Sequence, residues 1–108
     1  MNAAPGIVLQ RENVTLSVVR ALLGAITPEI RRVGFVLDGK GIQVFCIHEG
    51  APSESLREEM NDVEGQVMGD FADDVSVEVQ RIRIDPPAAI KIEAAWVYAR
   101  KEPHCAHP

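Results

Sequence analysis

The sequence has few aromatic residues and few cysteines. Aromatic side chains make up 5% of its 108 residues, and its two cysteines are Cys46 and Cys105. Two cysteines do not form the disulfide framework of a small secreted domain, so a reducing compartment, the cytoplasm, is expected. No uncharged run approaches the ~20 apolar residues that a membrane-spanning helix needs. No export signal is recognised near Met1, so neither a membrane nor an exported protein is predicted.

Basic residues are also scarce. The chain carries 11 lysines and arginines against 16 acidic residues, a formal net charge of −5. A broad electrostatic surface for nucleic acid or anionic lipid is therefore not expected. A basic protein partner would suit this charge better, although mild acidity also occurs simply because it keeps a protein soluble.

Motifs for catalysis and cofactor binding are missing. There is no Gly-x-Ser-x-Gly sequence, and Cys46 with His48 lies in an apolar run that would raise the pKa of the thiol rather than activate it. His104, Cys105 and His107 have the chemistry of metal ligands, but they lie in a tail without a further ligand pair. We therefore predict no enzyme, no cofactor and no functional metal site.

The hydrophobic pattern predicts one α+β domain over residues 13–102, between a flexible arm at 1–12 and a disordered tail at 103–108. The order of elements is α-β-β-α-β-β, which favours a largely antiparallel four-stranded sheet with both helices on one face. The predicted elements are a helix over 14–26, strands over 33–37 and 42–48, a helix ending near Phe71, and strands over 75–84 and 90–101.

Each helix has a candidate buried side. In the first helix, the apolar residues at three-to-four spacing are Val18, Val19, Leu22, Leu23 and Ile26. In the second, which either Ser53 or Ser55 can cap, they are Leu56, Met60, Val63 and Val67. Gly65 and Gly69 lie on the opposite side of the second helix and weaken it. Either something packs closely against them or the helix frays early, and fraying is the slightly favoured alternative.

The most unusual feature is the acidic segment 54–74. It holds eight of the sixteen acidic residues and one base, Arg57. Glutamate and aspartate at every fourth position of a helix repel one another by a few tenths of a kcal/mol per pair. Such a row can be an ordinary solvated helix face, or a negative surface that attracts a basic protein and speeds its encounter.

Several segments together resemble a family of small bacterial proteins. They are the run VVRALLGAITP at 18–28, GAPSE at 50–54 leading into the acidic helix, Asp70-Phe71 before a charged turn, and WVYARKE at 96–102. In these residues the chain resembles the immunity proteins of contact-dependent growth inhibition and related polymorphic toxin systems.

The resemblance implies a cytoplasmic protein that binds and neutralises a cognate toxin domain, often a nuclease, in a one-to-one complex. Because nucleases act on a polyanion, that toxin would be basic. The partner-binding residues that we expect are Glu54, Glu58, Glu59 and Asp62, with Trp96 and Tyr98 as anchors or, equally, as core residues. The alternative is a self-associating structural or regulatory module that forms a homodimer through an exposed strand edge.

Overall fold

The computed structural model of the chain describes residues 9–102. The predicted order α-β-β-α-β-β and the α+β class with four strands and two helices are confirmed. Residues 1–8 of the predicted arm at 1–12, and the predicted tail at 103–108, lie outside the described residues. The elements are α1 Arg11–Leu22, β1 Ile30–Asp38, β2 Gly41–His48, α2 Glu54–Gly69, β3 Ser76–Arg83 and β4 Ala95–Ala99.

Strands β1 and β2 form the predicted hairpin. They are antiparallel, with Asp38 opposite Gly41 beside the turn, and Gly39 in the turn has a φ of +61° that favours glycine. Alternation along the strands turns one set of side chains into the core, so that Val33 and Phe35 of β1 lie there. The hairpin forms the centre of the four-stranded sheet.

The sheet is mixed rather than largely antiparallel, which corrects the prediction from the sequence. Its strand order is β3-β2-β1-β4, and β3 is parallel to β2, in a continuous register from Gly41↔Ser76 to His48↔Arg83. The reason is the length of α2. Its 16 residues rise about 24 Å, close to the length of about 26 Å of the eight-residue β2, so the helix returns the chain to the start of β2.

Both helices bury their apolar residues in the same core as the sheet. This core holds Val14, Val18 and Leu22 of α1 together with the four buried residues of α2 predicted from the sequence. From the sheet it receives one face, which includes Phe35, Val44 and Val77. The two helices therefore form a layer on one side of the sheet.

The ends of several elements differ from the sequence prediction. Helix α1 begins at Arg11, within the expected arm, and ends at Leu22, before a turn in which Gly24 has a φ of +80°. Ser53 caps α2, because its hydroxyl accepts a hydrogen bond from the backbone N–H of Leu56 at 3.0 Å. Helix α2 then continues to Gly69, so the expectation of early fraying is wrong. Strand β4 is shorter than the predicted 90–101.

Residues 84–94 connect β3 at one edge of the sheet to β4 at the other. The buried guanidinium of Arg31 holds the start of this connection, since its Nη1 donates to the carbonyl oxygens of Ile84 and Ala88 at 2.9 and 3.0 Å. The same guanidinium pairs with the carboxylate of Glu102 through bonds of 2.7 and 2.9 Å. Arg31 thus ties three segments together at the end of the sheet where β1 begins.

Candidate functional site

The outer face of α2 carries three carboxylates that we call the acidic row: Glu54, Glu58 and Asp62. A spacing of four residues places them along one side of the helix, and all three are exposed. The fourth predicted acid, Glu59, is half-buried beside them. Within residues 9–102, no hydrogen bond or ion pair engages these four carboxylates, so their charge is available to a partner.

Other acids of the same segment have structural partners. Glu64 accepts a hydrogen bond from the backbone N–H of Val79 on the edge strand β3, at 2.9 Å. Asp70 accepts from the Ser17 hydroxyl at 2.6 Å and from Arg20 at 3.1 Å, which joins α2 to α1. The acidic segment 54–74 therefore contains acids that hold the fold as well as the acidic row.

A further acid of the segment, Asp74, is engaged by Lys40 in the turn between β1 and β2. This contact lowers the pKa of the Asp74 carboxyl, chiefly because the ammonium donates a hydrogen bond to the charged form. Asp74 thus stays ionised with its charge directed at the β1–β2 turn.

Trp96 does not lie with the acidic row. Its ring covers Gly34 so closely that a Cβ atom there would be 2.6 Å from Trp96 Cε3. Gly34 lies between the core residues Val33 and Phe35, so alternation turns it, and Trp96 with it, to the sheet face opposite the helices. The Arg32 guanidinium lies 5.2 Å from the ring centroid, a cation–π contact within the chain.

The other predicted anchor, Tyr98, is half-buried and packs against the core cluster. Its partner in the sheet is Val33, which is fully buried. The six residues proposed from the sequence therefore do not form one patch: the four acids lie on α2, Trp96 lies on the opposite face of the sheet, and Tyr98 packs against the core.

The outer side of α1 carries apolar residues that the sequence analysis assigned to the core. Leu23 and Val19 are 76% and 39% exposed, and Ile26, in the turn after the helix, is 37% exposed. Leu16, which the analysis did not single out, is 60% exposed. Leu16, Val19 and Leu23 follow one another at helical spacing along one side, and we call them the apolar ridge.

A groove of about 430 Å³ separates the two helices on their outer side. Arg20 and Ala21 of α1 line one wall, and Gly65 and Gly69 of α2 line the other. A Cβ atom added to either glycine would meet nothing within 4 Å, so no described part of this chain requires their small size. The alternative that the chain itself packs against them is therefore excluded for residues 9–102.

A larger groove of about 630 Å³ lies beside Trp96, between β1 and the connection 84–94. Arg11 and Arg32 contribute cations to its lining and Glu93 contributes the one anion, while Val36 and Ile92 contribute apolar surface. Its excess of positive charge does not suit a basic partner, and none of the acidic row reaches it.

Of the residues considered for chemistry, Cys46 lies in the hydrophobic core. Cys46 is fully buried, and burial, with a smaller effect from the Glu29 carboxylate, raises the pKa of its thiol to about 12. An uncharged thiol without access to solvent is a poor nucleophile. His104, Cys105 and His107 lie outside the described residues, within which no group of three potential ligands is positioned for a metal ion.

A comparison with protein families identifies the family of this chain. None of the helices described is both long and apolar enough to cross a membrane. No curated protein matches the chain. A family model described as MafI2 immunity protein matches residues 11–102, which include every helix and strand found in the described part of the chain. The resemblance to immunity proteins is thereby confirmed, and the chain belongs to the MafI2 immunity protein family.

Proposed function

We propose that this protein binds a basic toxin domain in the cytoplasm and neutralises it in a one-to-one complex, with the acidic row as the surface that attracts the toxin. Membership of an immunity protein family supports neutralisation of a cognate toxin. The observation that carries the rest of the proposal is the acidic row itself, whose three carboxylates are exposed and have no partner among residues 9–102.

Charge complementarity to a basic partner explains why the helix carries the acidic row despite the repulsion within it. Glu54 and Glu58, and Glu58 and Asp62, are four residues apart and repel each other by a few tenths of a kcal/mol per pair. A rigid helix that holds this charge in place steers a cationic partner and raises its association rate. Helix α2 has that rigidity because its opposite side is anchored by Leu56, Met60, Val63 and Val67 in the core.

A nuclease is the kind of toxin that fits this surface best. An enzyme that acts on a polyanion carries clustered lysines and arginines along its substrate site. The acidic row presents carboxylates to the same groups, so it can compete with the phosphates of the substrate. The protein would then inhibit by occupying or covering that site, with no chemistry of its own.

Growth rescue on co-expression tests this proposal. Candidate toxin domains are expressed in a bacterial host with the wild-type chain or with a variant carrying E54Q, E58Q and D62N. We expect the wild-type chain to restore growth and the triple variant to require much higher expression for the same effect, because each glutamine or asparagine keeps the shape and removes the charge.

The matched control removes the same charge elsewhere. Asp73, Glu78 and Glu93 are exposed and have no ion pair within the described residues. The variant carrying D73N, E78Q and E93Q should rescue growth as the wild type does. Equal loss in both triple variants would mean that net charge, rather than the acidic row, governs recognition.

A further inference from the structure

We propose that the apolar ridge of α1, rather than Trp96 or Tyr98, is the anchor that the toxin buries when it binds. This inference rests on the function proposed above and assigns to the toxin a second contact, an apolar one. The supporting observation is the exposure of apolar side chains on α1, which is independent of the charges of the acidic row on α2.

The ridge is unusual for its exposure. Six large apolar side chains among residues 9–102 are clearly exposed, and five of them lie on α1, on α2 or in the turn after α1. Apart from Leu37 at the end of β1, they are Leu16, Val19, Leu23, Ile26 and Met68. A concentration of exposed apolar surface in one layer marks a protein interaction site more often than scattered single residues do.

The core formed by residues 9–102 does not include the ridge. The residues of α1 that reach the core are on its other side, including Val14, Val18 and Leu22. Leu16 and Leu23 remain 60% and 76% exposed, although leucine is a residue that folding normally buries. Removal of such side chains from water on binding favours a complex.

The charges around the ridge indicate what covers it. Glu12 lies four residues before Leu16 on the same side of α1, is exposed and has no ion pair among the described residues. The nearest cation along the helix, Arg20, is paired with Asp70 at 3.1 Å. Arg11 borders the separate groove beside Trp96. The free charge next to the ridge is therefore negative.

This negative surround favours a toxin over a second copy of the chain. A symmetric dimer built on the ridge would bring two copies of Glu12 and of the acidic row to one interface, and this excess of like charge would oppose association. A toxin whose apolar patch is bordered by lysine and arginine would meet both surfaces favourably. The groove between the two helices has Arg20 of α1 on one wall and Gly65 of α2 on the other, so one partner that spans it could contact both helices.

Binding measurements on apolar variants test the assignment. The probe is the purified toxin domain from which the wild-type chain protects cells in the growth assay. The test variant carries L16S and L23S, and the matched control is L37S, because Leu37 is the exposed apolar residue outside the helical layer, at 38% exposure. We expect the double variant to bind about tenfold more weakly or worse, and L37S to bind within about twofold of the wild type.

Each outcome bears on a different statement. If the double variant binds as tightly as the wild type while the triple variant of the acidic row binds weakly, the ridge proposal is wrong and the proposed function stands. If no toxin is neutralised by the wild-type chain, both fail. Circular dichroism and thermal melting confirm that the variants are folded, as the exposure of both leucines leads us to expect.

The oligomeric state of the isolated chain shows whether a toxin or a second copy of the chain covers the ridge. Sedimentation at low salt should show a monomer for both the wild type and the double variant. A wild-type dimer that dissociates on introducing L16S and L23S would assign the ridge to self-association and overturn the proposal.

Discussion

Carboxylates at the end of the sheet and carboxylates on the outer face of α2 are held in opposite ways. At the sheet end, Glu102 is 6% exposed and pairs with Arg31, which is 3% exposed, at 2.7 Å. Glu49 pairs there with Arg100 at 3.0 Å, and Arg100 also reaches Glu102 at 3.1 Å. On α2, by contrast, Glu58 is exposed and has no partner among the described residues.

Burial distinguishes the charges that maintain the structure from those that are available for binding. A buried carboxylate loses its hydration and needs an arginine to compensate, so it constrains the fold. An exposed carboxylate keeps its hydration and adds little to stability. Mutations at the sheet end should therefore lower the stability of the fold, whereas mutations in the acidic row should weaken binding and leave stability nearly unchanged.

The largest expected effect is at the sheet end. Replacing Glu102 by alanine leaves the buried guanidinium of Arg31 without its carboxylate, and we expect the free energy of unfolding to fall by about 3–5 kcal/mol. The E58A variant is the control and should change it by less than about 0.5 kcal/mol. Urea denaturation followed by circular dichroism measures both. Similar values for the two variants would remove the distinction between the regions.

A smaller effect is expected within α2 itself, at Glu64. The N–H groups of Ser76 and Ile84 point towards β2, because they donate to the carbonyls of Lys40 and His48. The N–H groups of a strand alternate in direction, and Val79 is an odd number of residues from both, so its N–H points to the open edge of β3. Glu64 accepts a hydrogen bond from it there. We expect E64A to lower the free energy of unfolding by about 1–2 kcal/mol, since the acceptor is charged and the site half-exposed.

The control for Glu64 is an acid of the same helix without a contact. D62A should leave the free energy of unfolding within about 0.5 kcal/mol of the wild type. An equal loss in D62A and E64A would show that acids of α2 contribute through the helix rather than through the edge of β3.

The smallest expected effect is a gain of stability on the outer face of α2. Gly65 is helical, and a Cβ added there meets nothing within 4 Å, so G65A should raise the free energy of unfolding by about 0.5–1 kcal/mol. G24A is the contrast, because Gly24 has a φ of +80° that alanine adopts with strain. Thermal melting of the two variants in parallel should give shifts of opposite sign, and a loss in G65A would contradict the open face.

Helix α1 shows why the sequence predicted the helix but not its buried side. Val18 and Leu22 are buried as expected, while Val19 and Leu23, their immediate neighbours, are exposed. Apolar residues occupy most of the circumference of this helix, so helical spacing fits two alternative stripes. The choice depends on small residues that face α2, such as Ser17, which hydrogen-bonds Asp70 far along the chain.

The sheet topology was only partly accessible for a related reason. The hairpin of β1 and β2 is local, and the turn at Gly39 predicts it. The parallel placement of β3 depends on where α2 delivers the chain, and β4 reaches the far edge only because residues 84–94 cross the sheet. Such non-local pairing has no signal in the short-range pattern of the sequence.

The candidate site was predictable where it depends on one helix. The spacing of Glu54, Glu58 and Asp62 determines their common side as soon as α2 forms. The position of Trp96 was not predictable in this way, because it is decided by Gly34 on another strand. The only sign of the apolar ridge in the sequence is that α1 has more apolar residues than the side facing the core can accommodate.

The central claim, that the acidic row attracts the toxin by charge, is tested most directly by the affinity of the complex as a function of salt. The toxin domain against which the wild-type chain protects cells is titrated by calorimetry at ~50 mM and ~500 mM NaCl. The wild type is compared with the triple variant that carries E54Q, E58Q and D62N. We predict that the wild type binds more weakly at high salt, and that the variant is already weak at low salt and changes little. Parallel salt dependences with equal affinities would contradict the claim.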